Sequence, residues 1–206
     1  MPVLVVHDRA SKSHFAHAVP SKGVSHPYAE RALCRDLTRL GYKKVILKSD
    51  GEPAITALVR AVQANWQGQV VPERSPPYES RSNGAVERAV QTVQGQARTL
   101  KEALQISSGY TFSDTSPILA WLLEHAANLV NLFHRGPDGY TPFQRLKGRP
   151  WRIPLPEFGE CVEYLSRNGP RWAKRWGRGI FLGINPESTE KCRRDRRSCD
   201  RTKYPA

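Results

Sequence analysis

Cysteine is scarce in these 206 residues: there are four, Cys34, Cys161, Cys192 and Cys199. None forms a C-x-x-C pair, and His14 and His17 have no cysteine pair nearby, so neither a disulfide scaffold nor a zinc site is expected. Those two histidines alternate with Phe15 and Ala16 along a strand-like run, where solvent-facing or partly buried positions suit them. Long apolar runs are lacking too; none approaches the ~18 residues of a membrane span, and the first residues carry no signal-peptide pattern. The chain is therefore expected to be intracellular, with no membrane partner. Internal repeats are absent. Acidic residues are outnumbered, 19 Asp and Glu against 32 Lys and Arg, giving a formal charge of +13. Such an excess says little about fold and points to a polyanionic partner such as nucleic acid.

What is present is enough apolar residue, 39% with five Trp, seven Tyr and six Phe, to bury a core. Residues 2–6 form an unbroken apolar run fit for a buried strand, and 14–19 resume a strand pattern, so the two read as a hairpin. Ala29, Ala32, Leu33, Leu37 and Leu40 fall on one helical face that Gly41 terminates. A strand follows, Val45-Ile46-Leu47, ending on Asp50-Gly51. Pro53 then opens a helix bearing Ile55, Leu58, Val59, Val62 and Trp66. Residues 69–71 make another short strand, and 73–83 a loop rich in Pro and polar residues. Val86, Val90, Val93, Ala97, Leu100 and Leu104 stripe a long helix, and a second apolar helix runs from Ser116-Pro117 to about Phe133. Thr141 and Pro142 have the form of an N-cap and first helical residue.

From Pro150 the character changes to prolines and short strand-like runs among basic residues. The expected domains are 1–149, an α/β unit; 150–190, a small β-rich basic segment; and 191–206, a basic tail expected to be disordered. A hairpin feeding β-α-β-α units implies a mixed sheet with helices on both faces.

Two carboxylates stand out. Asp50 ends a predicted parallel strand, the edge of an open α/β sheet where ligands bind. Glu87 lies near the start of the long helix, after Ser82-Asn83-Gly84. With 36 residues between them, one helix and one strand intervene, a path able to return the chain to the same edge. Carboxylates held together suit a hard cation such as Mg²⁺, which activates oxygens in phosphoryl displacement. Taken singly, each residue is equally a turn former or a helix-dipole partner.

The run Leu47-Lys48-Ser49-Asp50-Gly51, with Pro77-Tyr78-Glu79-Ser80-Arg81-Ser82-Asn83-Gly84-Ala85-Val86-Glu87-Arg88, resembles the second and third members of the D,D-E signature of retroviral and LTR-retrotransposon integrases. Gly139 to Pro150, which includes Tyr140-Thr141-Pro142-Phe143, resembles the T-P-[YF] stretch that follows the core in copia- and gypsy-like elements. Phe158-Gly159-Glu160-Cys161-Val162 and Arg178-Gly179-Ile180-Phe181-Leu182-Gly183-Ile184 resemble landmarks further on in copia-type polyproteins. The similarity spans roughly residues 3 to 185. It implies a ribonuclease H-like fold, DNA integration by metal-dependent strand transfer in the intact parent, and a nuclear location. It also implies Asp50 and Glu87 as catalytic ligands of Mg²⁺ (or Mn²⁺). DNA is the implied partner, with a homo-oligomer left open.

That family's first aspartate lies on the first of three antiparallel strands, whereas only residues 14–19 separate Asp8 from the first helix. Val3 to Lys12 instead resembles the family's second strand and the turn after it, where the Asp is not a ligand. The first strand is therefore expected to be missing, and the chain to be inactive alone. Many relatives have Asn after the second Asp, where Gly51 stands here, and Glu52 is read as a helix-start residue rather than a ligand. Nucleic-acid contacts are expected from Arg81, Arg88 and Arg98 around the long helix, and from Arg171, Lys174 and Arg175 farther on. Trp172 and Trp176 lie among the latter and are expected to pack a small barrel, with stacking on bases as the alternative. Two other functions stay open: a non-catalytic nucleic-acid-binding remnant, and another ribonuclease H-like nuclease.

Overall fold

A computed structural model describes residues 1–75, 83–165, 172 and 175–184, together with the backbone of 191–195. Strands β1 (Val3–His7) and β2 (His14–Ala18) pair antiparallel, with Val5 opposite Ala16. Helix α1 (Tyr28–Leu40) follows, closed by Gly41 at φ 75°, a left-handed cap that glycine adopts without Cβ strain. Strand β3 (Lys44–Ser49), helix α2 (Pro53–Asn65) and strand β4 (Gln69–Arg74) form a β-α-β unit whose strands pair in parallel, Ile46 opposite Val71. Two long helices complete the first half, α3 (Gly84–Ser108) and α4 (Ile118–Phe133). Short helix α5 (Pro142–Lys147) starts where expected: Thr141 Oγ1 accepts from Gln144 N at 3.1 Å, and Gln144 Oε1 accepts from Thr141 N at 3.0 Å.

The pairings are those read from the sequence, but they do not join into one mixed sheet. Among the described residues β1 pairs only with β2, and β3 only with β4. The physical reason is visible in the packing. Leu4 and Val6 of β1 and Val45 and Leu47 of β3 belong to one core cluster with Leu33, Leu37 and Leu40 of α1 and Leu58 and Val62 of α2. Both small sheets thus lay one face on the same helices, yet no described strand links their edges. A hydrogen bond of 3.0 Å from the Tyr42 hydroxyl to Asp8 Oδ2 ties the end of β1 to the approach to β3. The other face of the hairpin, with Val5, Ala16 and Ala18, packs on Val93 and Ala97 of α3 and Leu123 and Ala127 of α4.

At His14 the outer edge of the hairpin is paired by a side chain. The Asn131 amide on α4 accepts from His14 N at 2.8 Å and donates to His14 O at 2.7 Å, pairing with β2 as a neighbouring strand would. Three residues further along, His17 is not solvent-facing or partly buried, as alternation suggested; it is 3% exposed. Its ring faces α1, with Nε2 2.6 Å from Asp36 Oδ2 and Nδ1 3.1 Å from Glu124 Oε1 of α4. Tyr28 OH donates to the same Glu124 oxygen at 3.1 Å. Burial disfavours the imidazolium, but the two carboxylates outweigh it and raise the His17 pKa to about 9. Burial pushes Asp36 upward, opposed by His17 and then by Arg39 and Arg35.

The segment after residue 150 shares the core of the first half. Strands β5 (Cys161–Leu165) and β6 (Trp176–Ile184) pair antiparallel. Ile180 and Leu182 join Leu104 of α3, Leu122 of α4 and Phe158 in one cluster. His125 of α4 lies 5.4 Å from the Phe158 ring and 5.6 Å from Phe181, and burial alone holds its pKa down at about 4, so it packs as a neutral ring. The tail expected to be disordered begins with a strand, β7 (Lys191–Asp195), because β6 offers it an open edge to pair with. Residues 196–206 lie outside the described residues. Cys161 is disulfide-bonded, while Cys34 is a free thiol.

The His17 cluster generates a pH prediction with a definite sign. A folded pKa near 9 above an ordinary value of 6.5 contributes stability fully present below pH 6.5 and lost as pH rises through 9. Its size is at most about 3 kcal/mol, reduced by the cost of burying Asp36. Thermal unfolding of the wild type should therefore weaken from pH 7 to 10 more steeply than that of His17→Gln. Parallel profiles for the two proteins would contradict the assignment.

Candidate active site

The C-terminal ends of β3 and β4 position the two acidic residues singled out by sequence. Asp50 follows the last residue of β3, and its Oδ1 accepts from Glu52 N at 3.2 Å, folding the chain into a turn. Gly51 takes φ 82° in that turn, a left-handed conformation few other residues hold without strain. Pro53 then begins α2. The Asp50 carboxylate is exposed, with that single hydrogen bond from the described residues. Glu52 pairs with Lys22 at 2.9 Å in the open, in keeping with a place at the helix start.

Ser75 connects this edge to Glu87. Its N–H donates to Ser49 O at 2.8 Å, extending the β3–β4 ladder, and its hydroxyl donates to Asn83 Oδ1 at 2.5 Å. Asn83 precedes α3, and its carbonyl accepts from Glu87 N at 3.0 Å. Ser75 thus fixes the start of α3 beside the strand end that carries Asp50. Glu87 is exposed in the first turn of α3, where the helix dipole favours a carboxylate. Among the described residues no three His, Cys, Asp or Glu side chains are grouped to hold a metal ion. The donor set is thus two exposed carboxylates at one sheet edge, suited in kind to a hard cation and incomplete in number.

Asp8 does not complete it. Its oxygens accept from Ser11 N at 2.8 Å, from Ser11 Oγ at 2.6 Å and from Tyr42 OH at 3.0 Å. Burial pushes its pKa up, but these donors prevail and hold it below the ordinary carboxylate range. Asp8 organises the β1–β2 turn, where Lys12 sits at φ 64°.

Of the basic residues expected to meet nucleic acid, Arg88 and Arg98 are exposed on α3, and Arg175 is exposed just before β6. Gln91 and Gln94 are exposed between Glu87 and Arg98, and the helical repeat sets all four on one stripe. Arg81, Arg171 and Lys174 lie outside the described residues. The expectation that the tryptophans pack a barrel is overturned: Trp172 is 92% exposed and Trp176 57%. Alternation sets Trp176 on the same face of β6 as Ile180 and Leu182, but at the strand end away from the buried residues. Sequence reasoning also missed Ser75, Asn131 and the His17–Asp36–Glu124 cluster. Glu124, Asn128 and Asn131 recur at helical spacing within a mostly apolar helix, and that recurrence was the available signal.

No protein-family model matches the sequence, and no curated protein matches it. Solved structures do. The catalytic core domain of BIV integrase superposes with a TM-score of 0.51 at 19% identity, covering 70% of this chain and 84% of that one. A chain of the simian T-cell lymphotropic virus intasome, solved in complex with the PP2A regulatory subunit B56 gamma, gives 0.51 and 19%, over 94% of this chain and 69% of that one. The chain therefore has the fold of the retroviral integrase catalytic core, a ribonuclease H-like α/β fold. No described helix is long and apolar enough to cross a membrane.

The contrast between the acidic residues is testable. Asp8→Asn should lower stability by about 1–3 kcal/mol in urea unfolding, since it weakens three hydrogen bonds to a charged acceptor, whereas Asp50→Asn should change it by less than about 0.5 kcal/mol. Equal effects would contradict the roles given to the two residues.

Proposed function

We propose that this chain is the core of a retrotransposon integrase, in which Asp50 and Glu87 are two of the carboxylates that serve DNA strand transfer. The observation that carries the reading is the Ser75 bridge, which sets the Asp50 turn and the first turn of α3 at one edge of an integrase-like fold. Mg²⁺ or Mn²⁺, when bound, would supply activation of the attacking and leaving oxygens of a phosphodiester. The chain's own residues hold two charges at the site and present Arg88 and Arg98 along α3 for phosphate. Arg81, Arg171, Lys174 and Arg175 extend the proposed basic surface, with DNA as the partner, a homo-oligomer as the working assembly and the nucleus as the place of action.

A third carboxylate is needed, and Asp8 is committed to its turn. The unpaired edges of β1 and β3, laid over one core, suit an additional strand carrying an Asp between them. On this reading the 206-residue chain binds DNA but does not join it.

The test uses labelled duplex oligonucleotides with Mg²⁺ or Mn²⁺. The chain as it stands should bind with affinity that falls steeply with salt and yield no joined product. A form extended ahead of Met1 by an apolar strand bearing an Asp should gain joining, which Asp50→Asn or Glu87→Gln abolishes while leaving DNA binding within about twofold. Robust joining by the unextended chain would contradict the missing carboxylate. Metal-dependent cleavage without joining would favour a ribonuclease H-like nuclease, and binding alone in every form would favour a non-catalytic remnant.

A further inference from the structure

The loop from Pro20 to Pro27 holds a cation beside the carboxylate edge that the reading above leaves unused. Its Lys22 Nζ lies 2.9 Å from Oε1 of Glu52, which follows Asp50 by two residues. Both side chains are open to solvent, the lysine at 65% and the glutamate at 40%. The hydrogen bond to Glu52 and its charge, joined by the charge of Asp50, hold the Lys22 ammonium above its ordinary pKa.

The loop does not depend on this ion pair for its place. Gly23 is buried against the start of α2 at φ 76°, and a Cβ there would meet Ala54 at 3.4 Å. The hydroxyls of Ser21 and Ser25, 2.7 Å apart, close the loop around it. The backbone thus fixes where Lys22 starts. An exposed ion pair stabilises little, so the side chain can change partner at small cost.

Charge says what that partner would be. Asp50 and Glu87 present like charges at this edge, with Glu52 beside them. Such an edge repels a phosphodiester unless cations offset it. A lysine ammonium is a compact charge on a flexible stem, which suits a phosphate oxygen as well as a carboxylate.

We propose that Lys22 is a phosphate-binding residue of the Asp50 edge, exchanging Glu52 for a non-bridging oxygen of the nucleic-acid backbone. The inference rests on the nucleic-acid reading above and deepens it, since it names a residue that draws a phosphate toward the two carboxylates. The pair with Glu52 is then the resting state of the site.

The experiment follows binding of the full chain to a fluorescein-labelled duplex by anisotropy across a salt series. Lys22→Gln should weaken binding by roughly threefold to tenfold at low salt and lower the slope of log affinity on log salt by about one. Lys22→Arg should bind as the wild type does, and Glu52→Gln at least as tightly, because the competing carboxylate is gone. Lys44 is exposed at the opposite end of β3, and Lys44→Gln, the charge-matched control, should change binding by less than about twofold. Thermal unfolding of Lys22→Gln should match the wild type, and its Mn²⁺ binding should be no weaker, because a cation beside Asp50 has been removed. Equal effects of Lys22→Gln and Lys44→Gln would reduce Lys22 to diffuse positive charge and overturn the assignment, with DNA binding by the chain intact. A loss in Glu52→Gln equal to that in Lys22→Gln, or a lowered unfolding temperature in both, overturns it in favour of an ion pair that only shapes the loop. Failure of the wild type to bind the duplex overturns this assignment and the nucleic-acid reading together.

Discussion

A protonated His17 between Asp36 and Glu124 is the joint on which the arrangement depends. Asp36 is on α1, and α1 packs on the face of β3 that leads to Asp50. Glu124 is on α4, and α4 packs on α3, whose first turn bears Glu87. The two candidate carboxylates thus belong to halves of the molecule that a single imidazolium draws together. A buried ion triad is poor value in stability, since desolvation cancels much of the Coulomb attraction. Its merit is directional: an apolar contact would hold α1, β2 and α4 together in several registers, whereas a ring with two nitrogens fixes one.

The second constraint is the treatment of strand edges. At the outer edge of β2 the Asn131 amide pairs with the backbone of His14 as a neighbouring strand would. The inward edges of β1 and β3 receive no such cover among the described residues. On the open face of the parallel pair Ile46 is 63% exposed beside Lys44 and Lys48, although parallel sheets are ordinarily buried on both faces.

Much of this was legible in the residues. Helix faces declared themselves through apolar spacing, and Thr141-Pro142 announced a capped start because the hydroxyl and the missing N–H suit only that place. The strand ending at Asp50 and the helix beginning before Glu87 were legible from apolar spacing and the Gly51 and Asn83-Gly84 turns. What stayed hidden depended on contacts far apart in sequence. His17 pairs with Glu124 across 107 positions, and no local pattern foretells a partner so remote. The same holds for the separation of the sheets, since apolar alternation marks a strand without naming its neighbours. The tryptophans misled for a related reason: aromatic content predicts burial on average, while Trp176 stands at the end of β6 away from the buried Ile180 and Leu182.

The central claim is that Asp50 and Glu87 share one cation. Electron paramagnetic resonance of free Mn²⁺ titrated with the protein measures this without any need for catalysis. The account predicts weak binding of one ion that Asp50→Asn and Glu87→Gln each remove, with the double variant no worse than either single one, because the two residues act as one site. Independent, additive losses, or Mn²⁺ binding that survives in the double variant, would show that the two carboxylates do not form a common site.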